Sequence, residues 1–305
     1  MALLLPERRV APRRVRRAAT LAVLLGAALV LGGCSSDTEA GRLAMPSPVT
    51  EEGEHTLALW QGAWIAALAT GLVVWGLIFW VVVRYRRRHD DEVPVQTRYN
   101  LPLEIFYTIF PIVMVIVFFD HTIKTQNAVY DPDAEAQNTV YVVGQQWSWT
   151  FNYPEETVTD SETGEQVQVN IYESGTGNDI PDLYLPVDET TRFELRTPDV
   201  IHDFGVPGFL IKMDVMPAQD NSFAVTPKVE GTYAGKCYEL CGVYHSRMLF
   251  NVRIVDEQEF QDYLQAQYDA GFYSEEPVCG GSYTTTQVGL EESNGQVCGT
   301  DEEDQ

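Results

Sequence analysis

Cys237-Tyr238-Glu239-Leu240-Cys241-Gly242-Val243-Tyr244-His245-Ser246-Arg247-Met248 puts two thiols, an imidazole and a thioether within one short stretch. Soft sulfur donors combined with imidazole select copper over hard cations. One Cys, two His and a weak Met build a mononuclear copper site, and a second imidazole is available upstream at His202. Here the loop carries two cysteines, and two thiolates can bridge two copper ions. Each ion then needs only one imidazole and one weak axial donor. The set closes with Cys237 and Cys241 bridging, His202 and His245 capping, and Met248 and the backbone carbonyl of Glu239 as axial contacts. Three other readings use the same residues. A Cys237–Cys241 disulfide leaves His245 and Met248 without a purpose. A Cys₂His₂ zinc site satisfies the ligand count but not the methionine. A copper-delivery protein also uses a Cys-x-x-x-Cys pair, on a thioredoxin-like fold.

The surrounding sequence is strand-rich. Thr139–Val143, Thr191–Leu195, Phe223–Val225 and Met248–Ile254 are runs of β-branched and aromatic residues separated by Pro, Gly and Asp clusters. That pattern predicts an all-β sandwich or barrel of short strands. A helix is expected over Asp256–Tyr268, and from about Phe272 the chain is rich in Gly, Ser, Thr and Glu, as in a weakly structured extension. Asn152–Pro181, rich in Glu, Thr and Gly, is expected to be a surface excursion.

Upstream, the character is apolar. Arg8, Arg9, Arg13, Arg14, Arg16 and Arg17 precede the apolar run Ala18–Leu31, which ends in Leu31-Gly32-Gly33-Cys34. This reads as an export signal over 1–33 with a lipobox, making Cys34 a lipid-anchored mature N-terminus followed by a linker over 34–55. Leu57–Val83 is long enough to cross a bilayer, with Trp60, Trp64, Trp80 and Tyr85 at its ends as interfacial aromatics. Leu101–Phe119 is shorter and contains Pro102, Glu104 and Pro111. Arg84-Tyr85-Arg86-Arg87-Arg88-His89 lies between them and belongs on the cytoplasmic side. A transmembrane hairpin over 56–124 in the cytoplasmic membrane therefore leaves everything after Asp120 outside. Of the 44 acidic and 20 basic residues, 33 and 7 fall in 125–305, a net charge of −26. Such a domain repels nucleic acid and anionic headgroups and attracts basic partners.

The motif Cys-x-Glu-x-Cys-x-x-x-His-x-x-Met at 237–248 resembles the dinuclear copper (CuA) motif of cytochrome c oxidase subunit II. Two further stretches resemble that family in the same order. They are Gly144-Gln145-Gln146-Trp147-Ser148-Trp149-Thr150-Phe151 and Asp199-Val200-Ile201-His202-Asp203-Phe204-Gly205-Val206-Pro207, the latter continuing to Lys212-Met213-Asp214. The likeness covers about 50–270 and implies an aa3-type haem-copper oxidase, while the lipobox, Arg-rich leader and acidic extensions suit an actinobacterial one.

The resemblance implies a two-helix transmembrane hairpin followed by a cupredoxin-like Greek-key barrel over 125–270, with an acidic extension over 271–305. It implies two copper ions held by His202, Cys237, Glu239, Cys241, His245 and Met248. It also implies electron entry at Trp147, an indole expected to be exposed near the copper loop. The Glu239 carboxylate would share a magnesium ion with subunit I, with Asp214 near that boundary. Glu104 matches a glutamate at the cytoplasmic mouth of a proton channel, and Asp199 an acidic docking patch. The implied partners are oxidase subunits I and III, and cytochrome c or a membrane-bound c-type cytochrome of the bc complex. The function implied is electron transfer to haem in subunit I, for oxygen reduction coupled to proton translocation. Pro217-Ala218-Gln219 departs from the family's Pro-Gly-Arg, and no Cys-x-x-Cys-His haem motif is present. Cys279 and Cys298 lie outside the likeness and, being extracytoplasmic, are expected to form a disulfide contributing about 3 kcal/mol of local order.

Overall fold

The computed structural model describes residues 38–89, 93, 96–175 and 179–278. The export signal, Cys34, Cys279 and Cys298 lie outside the described residues. The chain divides into two units, Met1–Ser47 and Pro48–Gln305. In the first, residues 38–45 form turns closed by hydrogen bonds such as Arg42 N to Thr38 O.

The second unit begins with helix α1 (Glu51–Arg84). Thr50 caps it, its hydroxyl accepting the Gly53 amide, and Glu51, Glu52 and Glu54 occupy the first turn, where the helix dipole favours negative charge. Its start is pinned to the β domain. The Glu52 carboxylate accepts from the Thr226 amide and hydroxyl, and Val49 exchanges backbone bonds with Gly208 and Lys228. Gly53 permits that approach, since a β-carbon there would stand 2.8 Å from the Phe209 carbonyl oxygen.

Helix α2 (Leu101–Val129) starts at Asn100, whose side chain accepts the Leu103 amide; Glu104 Oε1 in turn accepts the Asn100 amide at 2.9 Å. It continues beyond the apolar run that ends at Phe119. The polar turns beyond carry an exposed Lys124–Asp120 ion pair, and Tyr130, just past the helix, donates to the Lys212 carbonyl. Both helices are long and apolar enough to cross a bilayer, and none of their apolar windows is buried. A core hairpin of a soluble domain would be covered.

Among the described residues eleven strands follow: β1 (Asn138–Gln145), β2 (Ser148–Thr159), β3 (Gln166–Ser174), β4 (Asp182–Pro186), β5 (Thr191–Arg196), β6 (His202–Val206), β7 (Ile211–Val215), β8 (Asn221–Val225), β9 (Gly231–Cys237), β10 (Leu249–Val255) and β11 (Tyr273–Ser274). They form two sheets, ordered β11-β3-β2-β1-β5-β8 and β4-β10-β9-β6-β7. The β1–β5 and β4–β10 pairs are parallel and the rest antiparallel. This is the cupredoxin-like two-sheet domain that the resemblance implies. β5 shows the expected period of two, with Thr191, Phe193 and Leu195 buried and the alternate residues partly exposed. An aromatic core of Trp149, Phe151, Phe193, Phe204, Phe223 and Phe250 fills the space between the sheets. Helix α3 (Glu257–Asp269), capped by Asp256, buries Phe260 and Leu264, one turn apart, against that core.

Two segments differ from expectation. Asn152–Pro181 is not a surface excursion: most of it is the β2–β3 hairpin, with Tyr153, Val158 and Ile171 buried. Its second arm, Gln166-Val167-Gln168-Val169-Asn170-Ile171, carries the alternation of a half-buried strand, which the Glu and Gly around it obscure. The extension is also ordered at its start. β11 adds to β3, and the Val278 amide and carbonyl both bond the Asn152 side chain, at 2.7 and 3.0 Å.

Candidate metal centre

The loop between β9 and β10 holds most of the donors. Cys237 ends β9, Cys241 follows in the loop, His245 opens a single 3-10 turn, and Met248 precedes β10. Because β9 and β10 are antiparallel neighbours, the Cys237 amide bonds the Met248 carbonyl at 3.0 Å and the loop closes on itself. β6 lies on the other side of β9 and delivers His202, fully buried, to the same point.

The donor atoms alternate about the two sulfurs. Cys237 Sγ lies 3.9 Å from Cys241 Sγ, 3.9 Å from His202 Nδ1 and 3.2 Å from the Glu239 carbonyl. Cys241 Sγ lies 3.5 Å from His245 Nδ1 and 3.8 Å from Met248 Sδ. Two donors each ~2.0–2.3 Å from one ion stand roughly 3–4 Å apart, so these separations suit ligands that share a metal. Each sulfur thus has its own imidazole and its own weak donor. His202, Cys237 and Cys241 are all buried.

Cys237 and Cys241 are free thiols. Their first proton leaves easily. The hydrogen bond between the two thiols, together with His202 and nearby amides, draws the Cys237 pKa well down. The resulting thiolate then holds the Cys241 proton, pushing that thiol well up. Loading a metal must displace this second proton. Burial pulls the His202 pKa down, but hydrogen bonds that the imidazole donates to Asp199 and Cys237 overcome it, so the net shift is upward. Asp199 is shifted down: bonds from His202, Val200 and Gln146 outweigh its burial.

A family described as Cytochrome C oxidase subunit II, periplasmic domain, matches residues 138–255. A probable cytochrome c oxidase subunit 2 from Streptomyces avermitilis is 45% identical over 284 residues, covering 83% of this chain and 88% of that protein. The cytochrome c oxidase subunit 2 of Mycobacterium tuberculosis is 34% identical over 305 residues, covering 85% and 84%. The chain belongs to the cytochrome c oxidase subunit II family. A crystal structure of the periplasmic domain of subunit II of cytochrome oxidase (CoxB) from Bradyrhizobium japonicum is similar at 25% identity, covering 45% of this chain and 97% of that one, with a TM-score of 0.36. As a subunit II, this chain is part of a haem-copper oxidase, an oxidoreductase complex whose other subunits are its partners. The family's copper domain is extracytoplasmic, and the two apolar helices suit membrane anchoring.

The remaining residues singled out in this subunit II fall in three places. Trp147 lies beside the loop, but it is 8% exposed and not the open indole expected from sequence. Its Nε1 donates to the Cys241 carbonyl at 3.2 Å, and its ring meets Tyr244 edge-on at 5.1 Å. A polar indole N–H buried this way needs an acceptor, and Gly242 makes room, since a β-carbon there would stand 2.9 Å from the ring. The exposed groups are instead Leu240, Val243 and Tyr244, at 76%, 83% and 40%. Glu239 and Asp214 are both exposed. Asp214 sits opposite Asp203 in the β6–β7 register, and Asp203 is buried, one oxygen on Lys212 at 2.7 Å and the other without a partner. Burial raises the Asp203 pKa, partly offset by Lys212. Glu104 is not brought to the metal site; it lies at the far end of α2, roughly 38 Å of helix before Val129.

Residues not singled out also shape the centre. Gly144 allows β1 to approach His202, because a β-carbon there would stand 3.2 Å from the imidazole. Gln146 Nε2 donates to the Cys241 carbonyl at 2.6 Å. Both belong to the Gly144–Phe151 stretch, whose likeness to the family was the available signal.

Proposed function

We propose that this chain is the electron-accepting subunit of its oxidase. It takes electrons from a c-type cytochrome at a dinuclear copper centre and delivers them to haem in subunit I, where oxygen is reduced to water with proton translocation. The alternation of donors carries this reading: two sulfurs lie between two imidazoles, and each sulfur has a separate weak donor. A mononuclear Cys-His-Met copper site takes about four donors, whereas two ions sharing two thiolates use all six of these. When bound, the copper pair supplies a one-electron acceptor whose charge is spread over two metals. Cys237 and Cys241 would bridge, His202 and His245 cap, and Met248 and the Glu239 carbonyl complete the set.

The residues around it prepare the site. Burial of His202, Cys237, Cys241 and Met248 keeps water from the donors. Trp147 bonds the Cys241 carbonyl directly, which supports electron entry through the indole behind an apolar rim of Leu240, Val243 and Tyr244. The exposed Glu239 carboxylate provides a hard oxygen suited to magnesium, with Asp214 exposed on β7 near that boundary, but octahedral coordination needs further ligands from subunit I. Subunit III, a membrane-bound c-type cytochrome of the bc complex as donor, lipidation of Cys34 and a Cys279–Cys298 disulfide belong to the same reading. Rapid mixing of the assembled oxidase with a reduced c-type cytochrome should bleach the copper absorption before any haem is reduced. Haem reduction ahead of copper would contradict the proposal.

Glu104 has a local role, since its carboxylate accepts the Asn100 amide, and the proposed role of guiding protons toward subunit I is separable from it. Glu104→Gln keeps the acceptor oxygen and loses the titrating group. Oxidase turnover is expected to fall roughly tenfold or more, with copper reduction by the donor unchanged. Normal turnover in Glu104→Gln combined with a defect in Glu104→Ala would reduce Glu104 to a helix cap.

A further inference from the structure

We propose that Asp199 is a positioning residue that couples the His202 imidazole to the turn carrying Trp147, so that one carboxylate orients both the metal side and the entry side of the centre. The inference rests on the copper reading above. Asp199 is an exposed residue, but its side chain is 28% exposed and its two oxygens are committed in different directions. Oδ1 accepts His202 Nε2–H at 2.8 Å and the Val200 amide at 2.6 Å, with the Thr197 hydroxyl at 3.0 Å. Oδ2 accepts the Gln146 amide at 2.7 Å.

The consequences for each partner differ. His202 Nδ1 faces Cys237 Sγ, so a proton on Nε2 leaves the Nδ1 lone pair free for a metal. The carboxylate selects that tautomer and makes the imidazole a stronger donor. On the other side, holding the Gln146 amide fixes the turn from which the Gln146 side chain and the Trp147 indole both reach the Cys241 carbonyl. The contacts thus run in a closed path from His202 through Asp199 and the 146–147 turn to the cysteine loop.

Asparagine cannot replace this carboxylate. If its oxygen faces His202 and Val200, its NH₂ is set against the Gln146 N–H, donor against donor; rotated, it opposes His202 instead. In the assembled oxidase, Asp199→Asn should alter the copper EPR and optical spectra without any donor present and raise the copper reduction potential. In the copper-free full chain it should speed amide hydrogen exchange at residues 144–148 by about tenfold or more. Asp199→Glu keeps the charge but not the reach, so it should be perturbed in the same two readouts. Unchanged spectra, potential and exchange, with only the donor KM and its salt dependence moved in Asp199→Asn and restored in Asp199→Glu, would overturn the proposal in favour of a docking acid. If the wild-type chain shows no dinuclear copper spectrum, the copper reading fails on its own. The exchange rates then still decide whether Asp199 holds the turn.

Discussion

Replacing Cys241 with serine is expected to lower copper affinity by more than about 100-fold, the upper range seen when residues that merely support a metal ligand are removed. Cys241 is the junction of the cluster. Its sulfur touches Cys237, His245 and Met248, and its carbonyl receives both Gln146 and Trp147. Serine is nearly isosteric and keeps a hydroxyl proton for Cys237, so the buried loop should hold its shape. The hydroxyl is a poor ligand for soft copper and does not ionise as a thiol does. Metal analysis after dialysis, with turnover of the reconstituted oxidase, checks this. Full copper retention with an unchanged spectrum would show that Cys241 is not a bridge.

Phe250→Ala should destabilise the β domain by about 3–5 kcal/mol and lower its melting temperature by roughly 10 °C. The ring stacks on Phe204 at 4.8 Å and meets Trp149 and Phe151 edge-on at 5.4 and 5.5 Å. The facing strand keeps Gly235 opposite it, where a β-carbon would stand 2.1 Å from the ring. That glycine marks how tightly the site is filled, and a cavity there has no neighbouring side chain able to close it cheaply. Phe250 also lies two residues after Met248, and Trp149 donates to the Met248 carbonyl, so the lost packing should loosen the loop. Thermal unfolding followed by circular dichroism, with copper retention measured in parallel, tests both effects. A loss below about 1 kcal/mol would mean that the aromatic layer does not carry the stability.

Much of the centre could be read from sequence because five of its six donors lie on one short loop. Only His202 had to be supplied from elsewhere, and a strand neighbouring β9 brings it in. The hairpin was legible for a different reason: long apolar runs separated by a block of arginines have few other uses. The less legible features depend on contacts between residues far apart in the chain. Composition hid the β2–β3 hairpin, whose polar face is set by which side of the sheet meets solvent. The burial of Trp147 follows from Gly242 and the Cys241 carbonyl, more than ninety residues away, so an exposed indole was a natural expectation. Asp199 is an exposed acid with His202 three residues on, and nothing local shows that Gln146 also bonds its second oxygen.

The central claim is that this ligand set holds two metals as one unit. Copper quantified per purified chain, together with the EPR spectrum of the oxidised protein, tests it most directly. One unpaired electron shared equally by two copper nuclei gives a seven-line hyperfine pattern. Two coppers per chain with that pattern is the predicted result, and one copper per chain with a four-line or silent spectrum would contradict it.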